Sequence, residues 1–292
     1  MESITDKPPL VVIVGQTASG KSALAMQLAQ QFGGEIIAAD SRTVYRGLDI
    51  GSAKPSIQDR RLVRHHLLDI VDPDERFTVA DFQKLTYRAI ADIHARGHIP
   101  FVVGGSGLYV DAVVYNFSLR PVAADRALRE QLATYTVGQL QALLMQRNIS
   151  LPENRHNSRH LIRMLETGGL TPVRHPLPPD VLLVGIDVDT LVLQERINMR
   201  VDQMLADGLL EEIQQLSGRY GWEVPALQSA GYKAARRYLV GELTFEDFRR
   251  QFATAHMQYA KRQKTWFKRD KNISWISKSA ELVELITTLL NK

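Results

Sequence analysis

Short apolar runs and amphipathic stretches alternate along much of the chain. The apolar runs predict four short buried strands, at Leu10–Val14, Gly34–Ala39, Phe101–Val103 and Val181–Ile186. Helical periodicity between the first three runs predicts helices at Lys21–Phe32 and Val79–Arg96. Strands that alternate with helices are typical of α/β proteins, in which helices cover both faces of a parallel sheet. We therefore predict that fold class.

The pattern changes after Tyr115. Residues 124–147 have the periodicity of helices with polar faces, and five prolines between 152 and 179 precede the fourth strand. We interpret residues 119–180 as a mostly helical insertion between a first core part, 1–118, and a second core part, 181–292. In the second part, periodicity predicts long amphipathic helices at Leu191–Leu216 and Phe245–Lys268.

The first strand leads directly into a glycine-rich loop, Gly15-x4-Gly20-Lys21-Ser22. The glycines let the backbone N–H groups curl around an anion, and the following helix directs its positive end at the same point. Lys21 adds a charge, and the Ser22 hydroxyl is a ligand for Mg²⁺. The loop predicts a polyphosphate site of the P-loop type, formed by Gly15, Gln16, Thr17, Ala18, Ser19, Gly20, Lys21 and Ser22.

Two further polar stretches follow predicted strands, with Asp40 after the second and Gly104–Tyr109 after the third. Ligands of parallel sheets bind beyond the carboxyl ends of the strands, so both stretches open onto the crevice of the loop. Asp40 there can hold Mg²⁺, accept a proton from a nucleophile, or only order its own loop. Gly104–Tyr109 is either a second anion-contacting loop or a tight turn. The third strand lacks the terminal Asp that P-loop NTPases use to organise Mg²⁺, which argues against ATP hydrolysis.

Composition narrows the class of protein. The 292 residues include no cysteine, which excludes disulfides, a thiolate nucleophile and a cysteine-based zinc site. The first nine residues lack an apolar signal segment, and no apolar run approaches the ~20 residues of a membrane span. We therefore expect a cytoplasmic protein with no membrane partner.

Positive charge is concentrated near the end of the chain. Between residues 249 and 271, eight lysines and arginines face one acidic residue, although the net charge of the whole chain is only +4. Lys261, Lys264 and Lys268 share one face of the last predicted helix, a spacing that suits a nucleic-acid backbone. A solvated basic face remains the alternative. Trp266 and Phe267 are interpreted as core anchors.

Two groups of residues have competing interpretations. Arg200 lies at the edge of the apolar stripe of its predicted helix, where an arginine is either a surface residue or a phosphate clamp. The pattern by itself favours the surface. His65, His66 and Asp69 suggest a metal site, but adjacent histidines on a regular element rarely face one ion. Structural roles are therefore favoured for them.

Six motifs occur in order and together resemble one known family. They are the segments 15–22, 39–55, 65–73, 104–109, 228–233 and 260–267, the last reading Ala-Lys-Arg-Gln-Lys-Thr-Trp-Phe. In this combination the chain, from about residue 10 to 271, resembles the bacterial tRNA dimethylallyltransferase family, also called tRNA isopentenyltransferase.

The resemblance implies transfer of a dimethylallyl group from dimethylallyl diphosphate to N6 of the adenosine 3′ of the tRNA anticodon, with release of diphosphate. It implies that Asp40 is the general base, that Ser106 hydrogen-bonds the departing bridging oxygen, and that Arg200 contacts the diphosphate. This last role replaces the surface interpretation of Arg200. The implied cofactor is Mg²⁺ on Ser22, the implied partner is the anticodon stem-loop of tRNA, and we expect a monomer.

The family's RNA-contacting stretches also match positions in this sequence. The implied tRNA-contacting residues are Asp40, Ser41, Arg42, Thr43, Ser106, Arg129, Arg159, His160, Leu161, Ile162, Arg163, Gln228, Ser229, Ala230, Gly231, Tyr232, Lys233, Lys261, Arg262, Gln263, Lys264, Thr265, Trp266, Phe267 and Lys268.

Three alternatives stay open at this point. A P-loop small-molecule kinase has the same loop and sheet but leaves the basic helix without a role. An enzyme that prenylates free AMP has the same chemistry but needs no helical insertion. A non-catalytic RNA-binding protein with a vestigial loop does not need the intact Lys21, Ser22 and Asp40.

Overall fold

A computed structural model describes residues 9–119 and 125–291 of the chain. The parts of the predicted domains at 1–8, 120–124 and 292 lie outside the described residues. The chain forms two compact units: a core that extends to Tyr115 and resumes at Pro176, and a second unit from Asn116 to His175. The sequence places the corresponding boundaries at 119 and 180.

The core is built on a six-stranded sheet whose described strand pairs are all parallel, which confirms the predicted α/β class. Its strands are β1 (Leu10–Gly15), β2 (Gly34–Ala39), β3 (His65–His66), β4 (Ile99–Gly104), β5 (Val181–Ile186) and β6 (Ser274–Ile276). The spatial order is β3-β2-β4-β1-β5-β6, so the strand before the glycine-rich loop lies near the centre. The loops after β1, β2, β4 and β5 consequently meet at one edge of the sheet.

Helices surround this sheet. Those of the core are α1 (Lys21–Phe32), α2 (Ile57–Leu62), α3 (Val79–Ala95), α4 (Gly107–Val114), α8 (Thr190–Ala206), α9 (Leu209–Tyr220), α10 (Ala230–Leu239), α11 (Phe245–Phe267) and α12 (Ser279–Leu290), and those of the second unit are α5 (Arg126–Ala133), α6 (Val137–Gln146) and α7 (Ser158–Thr167). The strand β6 and the helices α10 and α12 did not stand out in the sequence pattern.

The prediction of one helix over Leu191–Leu216 is wrong, because the chain breaks between α8 and α9. Gly208 has a φ of +97°, a left-handed conformation that glycine adopts without steric cost and that ends the regular helix. The buried positions Val201, Met204, Leu209 and Ile213 continue the apolar stripe across the break. Periodicity alone could therefore not reveal it.

Two apolar clusters hold the core together. One joins α1 and α12 to the sheet through residues such as Leu28, Phe101 and Ile286. The other packs α8, α9, α10 and α11 against the segment after β2, where Val44 and Leu48 are fully buried. The second cluster places α8 and α11 beside the loops at the carboxyl edge of the sheet.

The second unit has its own small core. Leu132, Leu140, Leu144 and Leu161 are almost completely buried there. A buried carboxylate, Glu166, accepts hydrogen bonds from two arginines of this unit. The helical character predicted for this segment agrees with α5, α6 and α7. Within the described ranges, no helix has both the length and the apolar character needed to cross a membrane.

Candidate active site

The glycine-rich loop forms an anion cradle between β1 and α1. Gly20 has a φ of +88° at the start of α1, and a Cβ on Gly15 would lie 2.9 Å from the Ser19 hydroxyl oxygen. The Ser19 N–H donates to the Gln16 carbonyl at 3.2 Å and closes the turn. The first turn of α1 thus opens toward the concave side of the loop, as the sequence predicts.

Three charged groups from distant parts of the chain meet at this cradle: Lys21, Asp40 and Arg200. Burial lowers the pKa of Lys21 to about 8; the negative charge of Asp40 opposes this shift and the positive charge of Arg200 adds to it. Burial also lowers the pKa of Arg200, against the opposing charge of Asp40. The Nε of Arg200 is buried and has no hydrogen-bond partner among the described residues. Its guanidinium is thus held at the cradle, and the surface position favoured by the residue pattern is wrong.

A second arginine, which the sequence analysis missed, also reaches the loop. The Nη1 of Arg196 lies 3.5 Å from the Ser19 carbonyl oxygen, and it would lie 3.9 Å from a Cβ on Gly20. Arg196 and Arg200 are four residues apart on α8 and therefore share a face of that helix. The four-residue spacing is the feature of the sequence that could have identified Arg196 as a neighbour of Arg200 at the loop.

Asp40 and Ser106 are neighbours because their strands pair. Ala39 at the end of β2 is in register with Gly104 of β4, and a Cβ on Gly104 would lie 2.0 Å from the Ala39 carbonyl oxygen. The Ser106 hydroxyl oxygen accepts the Ser41 N–H at 3.0 Å, and the same hydroxyl hydrogen-bonds the side chain of Tyr259. The Asp40 carboxylate accepts only one backbone bond in its own loop, from the residue two positions later at 2.7 Å.

A cavity of about 360 Å³ begins at Asp40. Its walls come from the loop after β2, the segment before and within α10, and the inner face of α11; they are Asp40, Ser41, Arg42, Gly51, Ser52, Gln228, Ser229, Ala230, Gly231, Tyr232, Phe252, Ala255, His256, Tyr259 and Arg262. The rings of Phe252 and His256 lie 4.8 Å apart and give the cavity an aromatic side. Residues 228–232 of the predicted stretch 228–233 thus face the same space as Asp40.

Two titratable side chains of α11 in this cavity were not anticipated. Burial lowers the pKa of His256 to about 4, and the charge of Arg200 acts in the same direction, so the imidazole is neutral at pH 7. Burial raises the pKa of Tyr259 to about 12, and Asp40 adds to the shift. The phenol therefore keeps its proton beside the carboxylate. Nothing in the sequence distinguishes these two residues from core positions of the helix.

The described residues offer a magnesium ion a hydroxyl ligand beside the cradle rather than a cluster of carboxylates or imidazoles. No group of three His, Cys, Asp or Glu side chains in the described ranges is arranged to hold a metal ion. Ser22 is exposed in the first turn of α1, beside the cradle. Mg²⁺ commonly keeps several waters and takes only one or two protein ligands together with phosphate oxygens. The exposed hydroxyl of Ser22 therefore fits a magnesium ion that arrives with a polyphosphate.

His65, His66 and Asp69 have protein partners. His66 contacts the buried Glu35 at 2.6 Å, and His65 contacts a backbone carbonyl at 2.8 Å. Asp69 pairs with the buried Lys54 at 2.5 Å. These contacts agree with the structural roles favoured for the three residues.

The predicted RNA-contacting residues of α11 fall into an inner and an outer group. Gln263 and Phe267 are almost fully buried, and Trp266 packs over Gly107. The outer group is Lys261, Arg262, Thr265 and Lys268, which are exposed, and Lys264, which is half-buried. Lys264 and Lys268 pair with a carboxylate that follows β5, that of Asp187, at 2.8 and 3.5 Å.

The remaining predicted RNA-contacting residues are also distributed between surface and interior. Arg42 donates from Nη1 to the carbonyls of Pro225 and Ala226, both at 3.1 Å, and Thr43 is buried. Ala230 and Lys233 are exposed on α10. In the second unit, the exposed Arg159 and the half-buried His160 and Ile162 accompany Leu161, which is fully buried, while Arg129 and Arg163 pair with Glu166.

The site combines a phosphate loop with two arginines of α8 and with a carboxylate that lines a partly aromatic cavity. These features define an α/β protein of the P-loop class with room for a second substrate. The family model described as "IPP transferase" matches residues 43–270, and the model "Isopentenyl transferase" matches residues 8–72. The chain therefore belongs to the IPP transferase family.

Individual relatives agree with this assignment. A tRNA dimethylallyltransferase of Halalkalibacterium halodurans is 41% identical over 285 residues, which cover 92% of this chain and 91% of the relative. One from Moorella thermoacetica is 39% identical over 99% of this chain and 96% of its own length. The crystal structure of a Bacillus halodurans tRNA isopentenylpyrophosphate transferase superposes with a TM-score of 0.76 at 39% identity, covering 98% of this chain and 97% of that one. A eukaryotic dimethylallyltransferase acting on tRNA also gives a TM-score of 0.76, at 29% identity, over 93% and 74% of the two chains.

Proposed function

We propose that this protein transfers a dimethylallyl group from dimethylallyl diphosphate to N6 of the adenosine directly 3′ of the tRNA anticodon. The observation that carries the proposal is the position of Asp40, between the phosphate cradle and the cavity. A base at this point can accept a proton from a group in the cavity while a diphosphate is held on the loop. The names of the relatives support tRNA as the acceptor and a dimethylallyl group as the group that is transferred.

The donor end of the site suits a diphosphate leaving group. Lys21, Arg196 and Arg200 supply positive charge around the cradle, where negative charge accumulates as the allylic C–O bond breaks. When bound at Ser22, Mg²⁺ would neutralise part of that charge. The Ser106 hydroxyl, which accepts the Ser41 N–H, would donate to the bridging oxygen once a bound diphosphate takes the place of its contact with Tyr259.

The acceptor end suits one extruded base. An adenine inside an anticodon loop must leave its stack to bring N6 to a carboxylate at the end of a cavity, and the cavity of about 360 Å³ offers an aromatic side for it. As N6 forms its bond to the allylic carbon, the electron pair of the C–O bond leaves with diphosphate. Asp40 then takes the proton that N6 loses.

Exposed cations provide the macromolecular contact in this proposal. Lys261 and Arg262 lie on the outer side of α11, and Arg262 also reaches the cavity rim. Such residues contact phosphates without regard to base sequence and place the anticodon loop over the cavity. We further propose that the protein works as a monomer in the cytoplasm.

The test is transfer of label from dimethylallyl diphosphate in the presence of Mg²⁺ to unmodified tRNA or to AMP. We expect label in tRNA alone, and a loss of about 100- to 10,000-fold in the rate for Asp40→Asn. Asp74→Asn, an exposed carboxylate outside the site, is the matched control. Label in AMP would reassign the acceptor, ATP consumption without labelling would indicate a kinase, and full activity of Asp40→Asn would remove Asp40 as the base.

A further inference from the structure

The side chain of Gln263 links two catalytic loops to α11. It is only 4% exposed. Its Oε1 accepts the Thr17 N–H at 2.7 Å, and its Nε2 donates to the Gly105 carbonyl at 3.0 Å. These two partners are backbone groups of different loops, and the amide also hydrogen-bonds the side chain of Tyr259 on its own helix. The amide therefore fixes the separation of those loops as well as their distance from the helix.

A second glutamine makes the reverse connection. Gln16, which is also buried, donates from Nε2 to the Ala260 carbonyl at 3.2 Å. Ala260 lies one turn before Gln263 on α11, so the start of the phosphate loop is tied to two successive turns of the helix. We call Gln16 and Gln263 the amide clamp.

The clamp depends on a bare backbone at Gly105. A Cβ at this position would lie 2.0 Å from the Nε2 of Gln263 and 3.2 Å from the Gly15 carbonyl oxygen. Any side chain here would displace the amide. The approach of Gln263 thus explains the glycine directly after β4, whereas the sequence left open whether this segment contacts an anion or only turns.

Each loop held by Gln263 carries part of the proposed chemistry. Thr17 lies in the loop that would hold the diphosphate. Gly105 precedes Ser106, whose hydroxyl oxygen accepts a hydrogen bond from the N–H of Ser41, the residue after Asp40. We propose that Gln263 is a positioning residue for the transfer step, which sets the distance between the diphosphate and the hydroxyl at its bridging oxygen. This inference rests on the proposed function, and it replaces the RNA contact expected for Gln263 from the family motif.

The geometry of α11 separates Gln263 from the RNA-facing residues. At 100° per residue, Lys261 and Thr265 project from the opposite side of the helix, and both are exposed. Gln263 could reach a bound RNA only by giving up both of its backbone partners. Burying those partners without hydrogen bonds would be unfavourable.

The experiment compares the wild-type chain with Gln263→Met, which keeps the length of the side chain but removes the hydrogen bonds of its amide to Thr17, Gly105 and Tyr259. Gln258→Met, at an exposed position of the same helix, is the matched control. We expect kcat for tRNA to fall about 100-fold, because the loops are misplaced, while KM for tRNA changes less than about twofold. The Kd of inorganic diphosphate, measured by calorimetry without RNA, should rise about tenfold.

Several outcomes separate this role from its rivals. A tenfold rise in KM for tRNA at unchanged kcat would restore the RNA contact, and an unchanged diphosphate Kd would overturn the positioning role. If Gln263→Met does not fold, Gln263→Glu keeps an acceptor for the Thr17 N–H but loses the donor to the Gly105 carbonyl, and it should raise the diphosphate Kd in the same direction. A wild-type protein that binds diphosphate but labels no tRNA would overturn the proposed function, while the diphosphate measurement would still decide the role of Gln263.

Discussion

Lys21 holds its proton weakly, and the affinity of the loop for an anion should follow its titration. Burial lowers the pKa of this amine from 10.5 to about 8, opposed by Asp40 and reinforced by Arg200. Below pH 8 the amine is charged and attracts a diphosphate. Above pH 8 it is neutral in the free protein, so binding must first recover a proton. Affinity is therefore full at low pH and declines as the pH rises through 8.

The size of the effect follows from the protonated fraction. With a pKa of about 8, this fraction is about nine-tenths at pH 7 and about one-tenth at pH 9. If only the charged form binds, the apparent Kd rises by the same factor, about tenfold, which corresponds to about 1.4 kcal/mol of binding free energy.

The assay is calorimetric titration with inorganic diphosphate at pH 7, 8 and 9, without RNA. Diphosphate itself ionises over this range, so the quantity to compare is the ratio of Kd between wild type and Lys21→Arg. The arginine at position 21 stays charged over this range, and the ionisation of diphosphate affects the variant and the wild type alike. The ratio should rise about tenfold from pH 7 to pH 9. A ratio that stays constant would refute the weakly held proton and the burial argument behind it.

Two further substitutions test other parts of the structure. Burial raises the pKa of Glu35, but hydrogen bonds from its arginine and histidine partners outweigh this and bring it to about 2. The ionised carboxylate therefore adds about 3 kcal/mol to the free energy of unfolding above pH 4.5. This contribution is lost as the pH falls through 2. Urea unfolding should show that Glu35→Gln lowers the free energy of unfolding less at pH 3 than at pH 7. An equal loss at both pH values would contradict the lowered pKa of Glu35. In Gly51→Ala the new Cβ would lie 2.1 Å from the Tyr232 hydroxyl oxygen, which pushes that ring into the cavity. KM for tRNA should rise about tenfold at unchanged diphosphate Kd, whereas Gly218→Ala, which meets open space, should change neither.

Sequence reasoning succeeds for this protein where the chemistry is local or where topology is strict. The loop at 15–22 is a contiguous motif, and its place after a strand and before a helix is visible in the residue pattern. Asp40 and Ser106 lie 66 residues apart in the numbering, yet both follow strands of one parallel sheet. Because such strands end at a common edge, their proximity could be predicted without coordinates.

It fails where tertiary packing decides the environment of a side chain. Arg200 has the spacing of a surface residue, but in the folded chain its guanidinium is largely buried near Lys21 and Asp40. Gln263 stands among lysines and arginines, where an RNA contact is the natural interpretation. Its burial depends on the rotation of α11 about its own axis. Gly208 breaks a helix inside a continuous apolar stripe, which no periodicity can reveal.

The amide clamp joins parts of the chain that are synthesised at very different times. Thr17 emerges from the ribosome long before its partner Gln263, since the two are separated by 246 positions in the chain. Synthesis runs from the amino terminus, so the phosphate loop is produced first and anchored late. A nascent or prematurely terminated chain that lacks α11 carries every residue of the glycine-rich motif, including Gln16, but lacks Ala260 and Gln263, so neither connection of the amide clamp can form. The phosphate loop therefore reaches its final anchored geometry only after α11 has been synthesised.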